Sequence, residues 1–148
     1  MIAAPTPLDG PLFLVDSSVW QRVGRSREVR LALEDCASAG YLCVSAPIIL
    51  ELGFSAPDPS AWDRVMGDVG DLIELPLTGR TREVAAQLQG LLWHRGLVRE
   101  VGVFDTLTAA TALEHGATVI HYDRGFELLA SVSPDFHQRW AVPPGSVP

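Results

Sequence analysis

Four acidic residues in this chain stand where carboxylates could do chemistry. Asp16 ends the apolar run Leu12-Phe13-Leu14-Val15 and is followed by two hydroxyls, Ser17 and Ser18. Asp123 ends the apolar-leaning stretch Val119-Ile120-His121-Tyr122 in the same manner. Glu51 sits inside Pro47-Ile48-Ile49-Leu50-Glu51-Leu52-Gly53-Phe54, with apolar residues on every side. Asp105 follows Val101-Gly102-Val103-Phe104 and opens an alanine- and threonine-rich stretch. Each has a plain alternative. Strand-end acids serve in turns, Asp is a favoured helix N-cap, and a Glu in apolar surroundings can pair with an Arg. Gathered together, they would repel one another until some are protonated or cations sit among them. Hard oxygen donors select Mg²⁺ or Mn²⁺, ions that activate water and support in-line displacement at a phosphodiester.

Strands alternating with helices would position such acids. The sequence predicts strands over Phe13 to Val15, Tyr41 to Ser45, Leu72 to Leu77, Thr118 to Tyr122 and Gln138 to Val142. Between them, helical spacing of apolar residues predicts helices over Arg27 to Ala39, from Pro47 through Phe54, and over Ala61 to Val69. Further helices are expected over Thr81 to His94, Asp105 to His115 and Phe126 to Val132. This order implies an α/β fold with a mostly parallel sheet covered on both faces. In such sheets ligands bind beyond the carboxyl ends of the strands, where Asp16 and Asp123 stand.

Length and composition set the outer limits. The chain has 148 residues, enough for one domain with a real core, and no repeat or second domain is evident. The core is expected over residues 12–142, between a loose leader carrying Pro5, Pro7 and Pro11 and a Pro-rich tail. No apolar run approaches the ~18 residues that cross a bilayer, and no signal peptide is recognisable, so a cytoplasmic location is expected. Cys36 and Cys43 match no metal or redox spacing and read as buried free thiols. The net charge is −7 and every basic residue is Arg, which argues against broad nonspecific nucleic-acid binding. Arg22, Arg25, Arg27 and Arg30 form the one basic group suited to a phosphate-contacting rim, or else a solvated helix face.

Other chemistries lack their residues. Ser17 and Ser18 are not in a G-x-S-x-G elbow, and neither a P-loop nor a G-x-G-x-x-G occurs. His121 could share a strand face with Asp123, but nothing else suggests a triad, so it reads as structural. Trp20, Trp62, Trp93 and Trp140 read as core or dimer packing rather than base-stacking platforms.

Taken in order, Val15-Asp16-Ser17-Ser18-Val19, the isolated Glu51, the run from Asp105 to Gly116 and His121-Tyr122-Asp123-Arg124-Gly125-Phe126 resemble the PIN-domain ribonucleases, and among them the VapC-type toxins of bacterial toxin–antitoxin pairs. The resemblance spans Leu12 to Val142. It implies a three-layer α/β/α sandwich and a Mg²⁺- or Mn²⁺-dependent endoribonuclease whose metal-binding acids fall on Asp16, Glu51, Asp105 and Asp123, with Ser17 and Ser18 as supporting polar groups. It further implies a homodimer, an RNA substrate of the tRNA or rRNA class, and a small antitoxin protein that blocks the site. One departure stands out: many members carry another acid two residues past the last one, where this chain has Gly125. Two other readings remain open at this point. One is a non-catalytic PIN-fold module that binds RNA or protein; the other is a nuclease of RNA maturation that has no antitoxin.

Overall fold

In the computed structural model, residues 8–148 are described; the leader expected before them lies partly outside this range. The first strand, β1 (Leu12–Val15), leads through Asp16 into α1 (Ser17–Val23) and α2 (Arg27–Ala39). Then come β2 (Tyr41–Val44), α3 (Ala46–Phe54), α4 (Pro59–Gly70) and the two-residue β3 (Ile73–Glu74). The second half holds α5 (Gly79–His94), a 3₁₀ turn (Val98–Glu100), α6 (Val103–His115), β4 (Thr118–His121), α7 (Gly125–Val132) and β5 (Gln138–Trp140). All strand pairings are parallel, in the order β3-β2-β1-β4-β5. The sheet is therefore wholly parallel, where the sequence led us to expect it mostly so.

Side chains on a strand alternate between faces, and β1 shows what this does here. Leu14 joins Val119, Leu88, Leu92, Ala109 and Phe126 in a core beneath α5, α6 and α7. Phe13 and Val15 join Ile120, Val19, Val29, Leu33 and Cys36 beneath α1 and α2. Two apolar layers on opposite faces of one sheet give the three-layer sandwich. Phe126 and Leu14 are fully buried, and each such side chain contributes roughly 1.5–3 kcal/mol of transfer free energy. Cys36 and Cys43 are buried free thiols, as their spacing suggested.

The helix and strand limits differ from expectation at three places that matter. A seven-residue helix, α1, directly follows Asp16, where no helix was expected before Arg27. Ser and Val are weak helix formers, and the helix holds because the Asp16 carboxylate accepts a bond from the Ser18 backbone N–H. α6 begins two residues early: Gly102 is its N-cap and Asp105 lies in its first turn. The strand expected over Leu72 to Leu77 shrinks to Ile73–Glu74, although Leu75 N–H still reaches the Val44 carbonyl at 2.8 Å. Pro76, which has no N–H to donate, comes next. Among the described residues, no helix is long and apolar enough to cross a membrane.

Candidate active site

The pairing of β1 with β4 sets Val15 beside Ile120, so the chain leaves the two strands side by side. Asp16 N–H donates to the Ile120 carbonyl at 2.9 Å and extends that pairing by one residue. Ser18 then fastens the two exits together. Its hydroxyl donates to Asp16 Oδ2 at 2.6 Å and accepts the Tyr122 backbone N–H at 3.0 Å. Asp16 and Asp123 thus end neighbouring strands at one crevice.

Glu51 reaches the same place from α3. Its carboxylate accepts a hydrogen bond from the Ser17 hydroxyl, one residue beyond Asp16. This replaces the ion pair with an Arg that a half-buried Glu could have formed. Among the described residues the one salt bridge joins Arg80 to Glu83 on the surface, and none of the four acids has a cationic partner. Asp105 comes from the first turn of α6. It is half-buried and does not cap the helix, so the capping explanation for it falls away. Asp123 is the most exposed of the four, and its Oδ1 accepts the Gly125 N–H at 2.8 Å.

The electrostatics follow from desolvation and crowding. Burial pushes the Asp16 carboxyl above the usual range, against the two Ser18 hydrogen bonds that favour its charge, and the negative charge of Asp123 adds to the rise. Glu51 is raised by burial as well; the Ser17 bond opposes this, while Asp16 and Asp123 reinforce it. Asp105 has no such hydrogen bond. Burial, with the charges of Asp16, Asp123 and Glu51, pushes it up to about 8. Asp105 therefore feels all three of the other acids and Glu51 two of them, and among the described residues none of the four forms a salt bridge.

As the side chains stand, no three of these acids, nor any other three His, Cys, Asp or Glu among the described residues, are gathered closely enough for a common ion. The donor set nevertheless fits a hard divalent cation. It consists of carboxylate oxygens alone, and among the described residues none of the four acids forms a salt bridge. Gly125, which the sequence marked only as a missing acid, lies against two of them: a Cβ there would stand 3.2 Å from both Asp105 Oδ2 and Asp123 Oδ1.

His121 is structural, in line with its sequence context. It is fully buried, its Nδ1 accepts the Asp123 backbone N–H at 3.1 Å, and its Nε2 therefore donates to Gln138 Oε1 at 2.5 Å. The ring packs at a tilt between Phe126 and Trp140, with centroids 4.9 Å from each, and burial lowers its pKa. The four-arginine group divides. Arg22, at the end of α1, donates to the Ser18 carbonyl at 2.6 Å and lies 4.3 Å over the Tyr122 ring, beside the site. Arg30 donates to the Val23 carbonyl at 2.8 Å, while Arg25 and Arg27 are exposed. Of the tryptophans, Trp20 and Trp140 are partly buried and fit core packing, while Trp62 and Trp93 are exposed.

The PIN domain family matches residues 13–132, a span that contains all four acids. The chain belongs to the PIN-domain family. Among curated PIN-domain relatives, it is 38% identical over 137 residues to Ribonuclease VapC51 of Mycobacterium tuberculosis, covering 91% of this chain and 96% of the relative. It is 30% identical over 138 residues to Ribonuclease VapC18 of the same organism, covering 92% and 99% respectively. The PIN fold is shared with the VapBC structure from Salmonella typhimurium bound to DNA, at a TM-score of 0.71 and 20% identity over 89% of this chain and 99% of that one. It is shared too with VapBC2 from Rickettsia felis bound to a promoter fragment, at a TM-score of 0.70 and 14% identity over 86% and 97%.

Proposed function

We propose that this PIN-domain protein is an endoribonuclease of the VapC toxin class, which hydrolyses RNA phosphodiester bonds with Mg²⁺ or Mn²⁺ at the site formed by Asp16, Glu51, Asp105 and Asp123. The observation that carries this reading is the approach of four uncompensated carboxylates to the ends of β1 and β4, in a chain similar over nearly its whole length to proteins named ribonucleases. Asp16, Asp105 and Asp123 would hold the ion. Glu51 would hold it or orient the attacking water. A bound divalent ion supplies water activation and charge stabilisation at the leaving oxygen. The protein's own contribution is positional: Ser18 fixes Asp16 against the exit of β4, and Ser17 turns Glu51 inward.

An antitoxin partner belongs to the same reading. Structural neighbours are VapBC complexes, and the surface beside Glu51 exposes large apolar side chains. Phe54 is 93% exposed and Leu50 64%, and with Phe104 they line a cavity of about 580 Å³ that includes Glu51. Such a rim suits a protein segment laid over the acids. A cytoplasmic location and a homodimer complete the proposal.

The test is direct. RNA incubated with the protein and Mn²⁺ is expected to be cut, and EDTA is expected to stop cutting completely; cleavage that persists in EDTA would overturn the metal-dependent reading. A second expectation concerns the exposed part of the arginine group. Reversing Arg25 and Arg27 to Glu should weaken RNA binding roughly tenfold at low salt and flatten its salt dependence, since phosphate contacts act through counterion release. Equal affinity and slope across a salt series would remove these residues from the RNA surface.

A further inference from the structure

We propose that Tyr122 and Arg22 are positioning residues for the acidic site: the C-terminal segment, residues 143–148, clasps both, and through Ser18 they hold Asp16 in place. This rests on the metal-dependent reading above and extends the site to a segment past residues 13–132, the span that matches the family.

The sequence of the tail sets its shape. Pro144 and Gly145 occupy the two central positions of a turn that the Ser146 N–H closes onto the Pro143 carbonyl at 3.1 Å. Gly145 has a φ of +78°, the left-handed value that the second central position of such a turn requires. The turn brings the chain back over Tyr122. The phenol hydroxyl accepts the Gly145 N–H at 2.8 Å and the Val147 N–H at 3.3 Å, and donates to the Val147 carbonyl at 2.8 Å. Its proton and both its lone pairs are thereby taken up by the tail. One residue further on, the Pro148 main-chain oxygen accepts a bond from Arg22 Nε at 2.9 Å.

Both clasped residues grip Ser18. Tyr122 does so through its backbone N–H, which Ser18 Oγ accepts at 3.0 Å, and Arg22 through Nη1, which donates to the Ser18 carbonyl at 2.6 Å. The guanidinium also lies 4.3 Å over the Tyr122 ring, which ties the two to each other. Accepting from Tyr122 leaves the Ser18 hydroxyl proton for Asp16 Oδ2, 2.6 Å away. Ser18 is thus held at its hydroxyl and at its carbonyl by residues whose far ends the tail fixes. Partners that orient a ligating carboxylate set metal affinity as well as geometry. Packing alone does not call for this arrangement: residues 143–146 and Pro148 are exposed, and of the segment only Val147 packs against the core.

The experiment opens the clasp in two ways. Tyr122→Phe removes the hydroxyl and keeps the ring and the backbone N–H, whereas Gly145→Val strains the turn at its positive φ with nothing within 4 Å of the new Cβ. Mn²⁺ binding by the full chain, without RNA, is read from loss of the free-ion electron paramagnetic resonance signal. Single-turnover cleavage at saturating RNA, RNA affinity in EDTA and thermal melting of the metal-free proteins are measured alongside. Both variants are expected to fold, to bind Mn²⁺ about tenfold more weakly and to cleave about tenfold more slowly, with RNA affinity in EDTA within about twofold of wild type. Mn²⁺ affinity equal to wild type in a folded Tyr122→Phe protein overturns the proposal, whatever its melting midpoint, and assigns the tail to packing. Should Tyr122→Phe not fold, Gly145→Val decides by the same criterion, and two unfolded variants overturn the proposal as well. RNA affinity that falls while Mn²⁺ affinity holds puts the tail in the RNA surface and also counts against it. Wild type that binds no Mn²⁺ sinks the metal reading itself, and this inference with it.

Discussion

Asp16→Asn is expected to lose RNA cleavage by at least about 10³-fold, some 4 kcal/mol of transition-state stabilisation, while the protein remains folded. Both halves of this expectation come from the position of the residue. Asp16 is nearly inaccessible, caps α1 through Ser18, and faces the other acids. Asn caps helices as well as Asp does, so the bond from Ser18 N–H survives the change. The charge and one anionic oxygen are lost, and a hard cation depends on both. Single-turnover cleavage in Mn²⁺, paired with circular dichroism, measures the two halves separately. Activity equal to wild type would remove Asp16 from the site, and an unfolded variant would show that its role is structural.

The second large effect has opposite signs for activity and stability. Asp105→Asn should abolish cleavage and make the metal-free protein more stable as the pH is raised. The folded state holds the Asp105 proton up to about 8, far above the ordinary carboxylate value of 3.8. Between those two values the native state binds more protons than the unfolded state. Stability therefore falls with rising pH through this window, and the cost is fully present only above about 8. Asn never ionises and avoids it. Solvent screening of a half-buried group reduces the full electrostatic cost, leaving a gain of about 1–3 kcal/mol at pH 8. For a domain of this size, that raises the melting midpoint by several degrees. Melting curves of wild type and variant from pH 4 to pH 8 should diverge steadily, and Mn²⁺ should narrow the gap at pH 8 by stabilising wild type. Curves that stay parallel across the range would show that Asp105 is not held under repulsion.

How much of this could be read beforehand depends on the physical range of each signal. The strand-end acids were legible because an apolar run that stops at a carboxylate marks both a buried strand and its exit. Glu51 was legible as a charge in apolar surroundings. Its partner was not: Ser17 lies 34 residues away, and no local pattern encodes that approach. α1 was missed because the side chain that starts it, Asp16, is the same one that faces the site. Its serines carry little helix propensity of their own. Asp105 looked like a cap because Asp so often is one, yet the helix starts at Gly102, whose side-chain-free cap leaves no sequence signature. The arginine group looked continuous along the chain, but it straddles the break between α1 and α2, where two of its members bond to backbone carbonyls. The adjacency of β1 and β4, on which the meeting of Asp16 and Asp123 depends, is a property of topology alone.

The measurement that bears most directly on the proposed centre is the anomalous scattering of a crystal soaked in Mn²⁺. The account predicts one strong peak at the ends of β1 and β4, about 2.0–2.3 Å from a carboxylate oxygen of Asp16 and from at least one of Asp105 and Asp123. Diffraction that places manganese elsewhere, or leaves these carboxylates without an ion at saturating Mn²⁺, would contradict it.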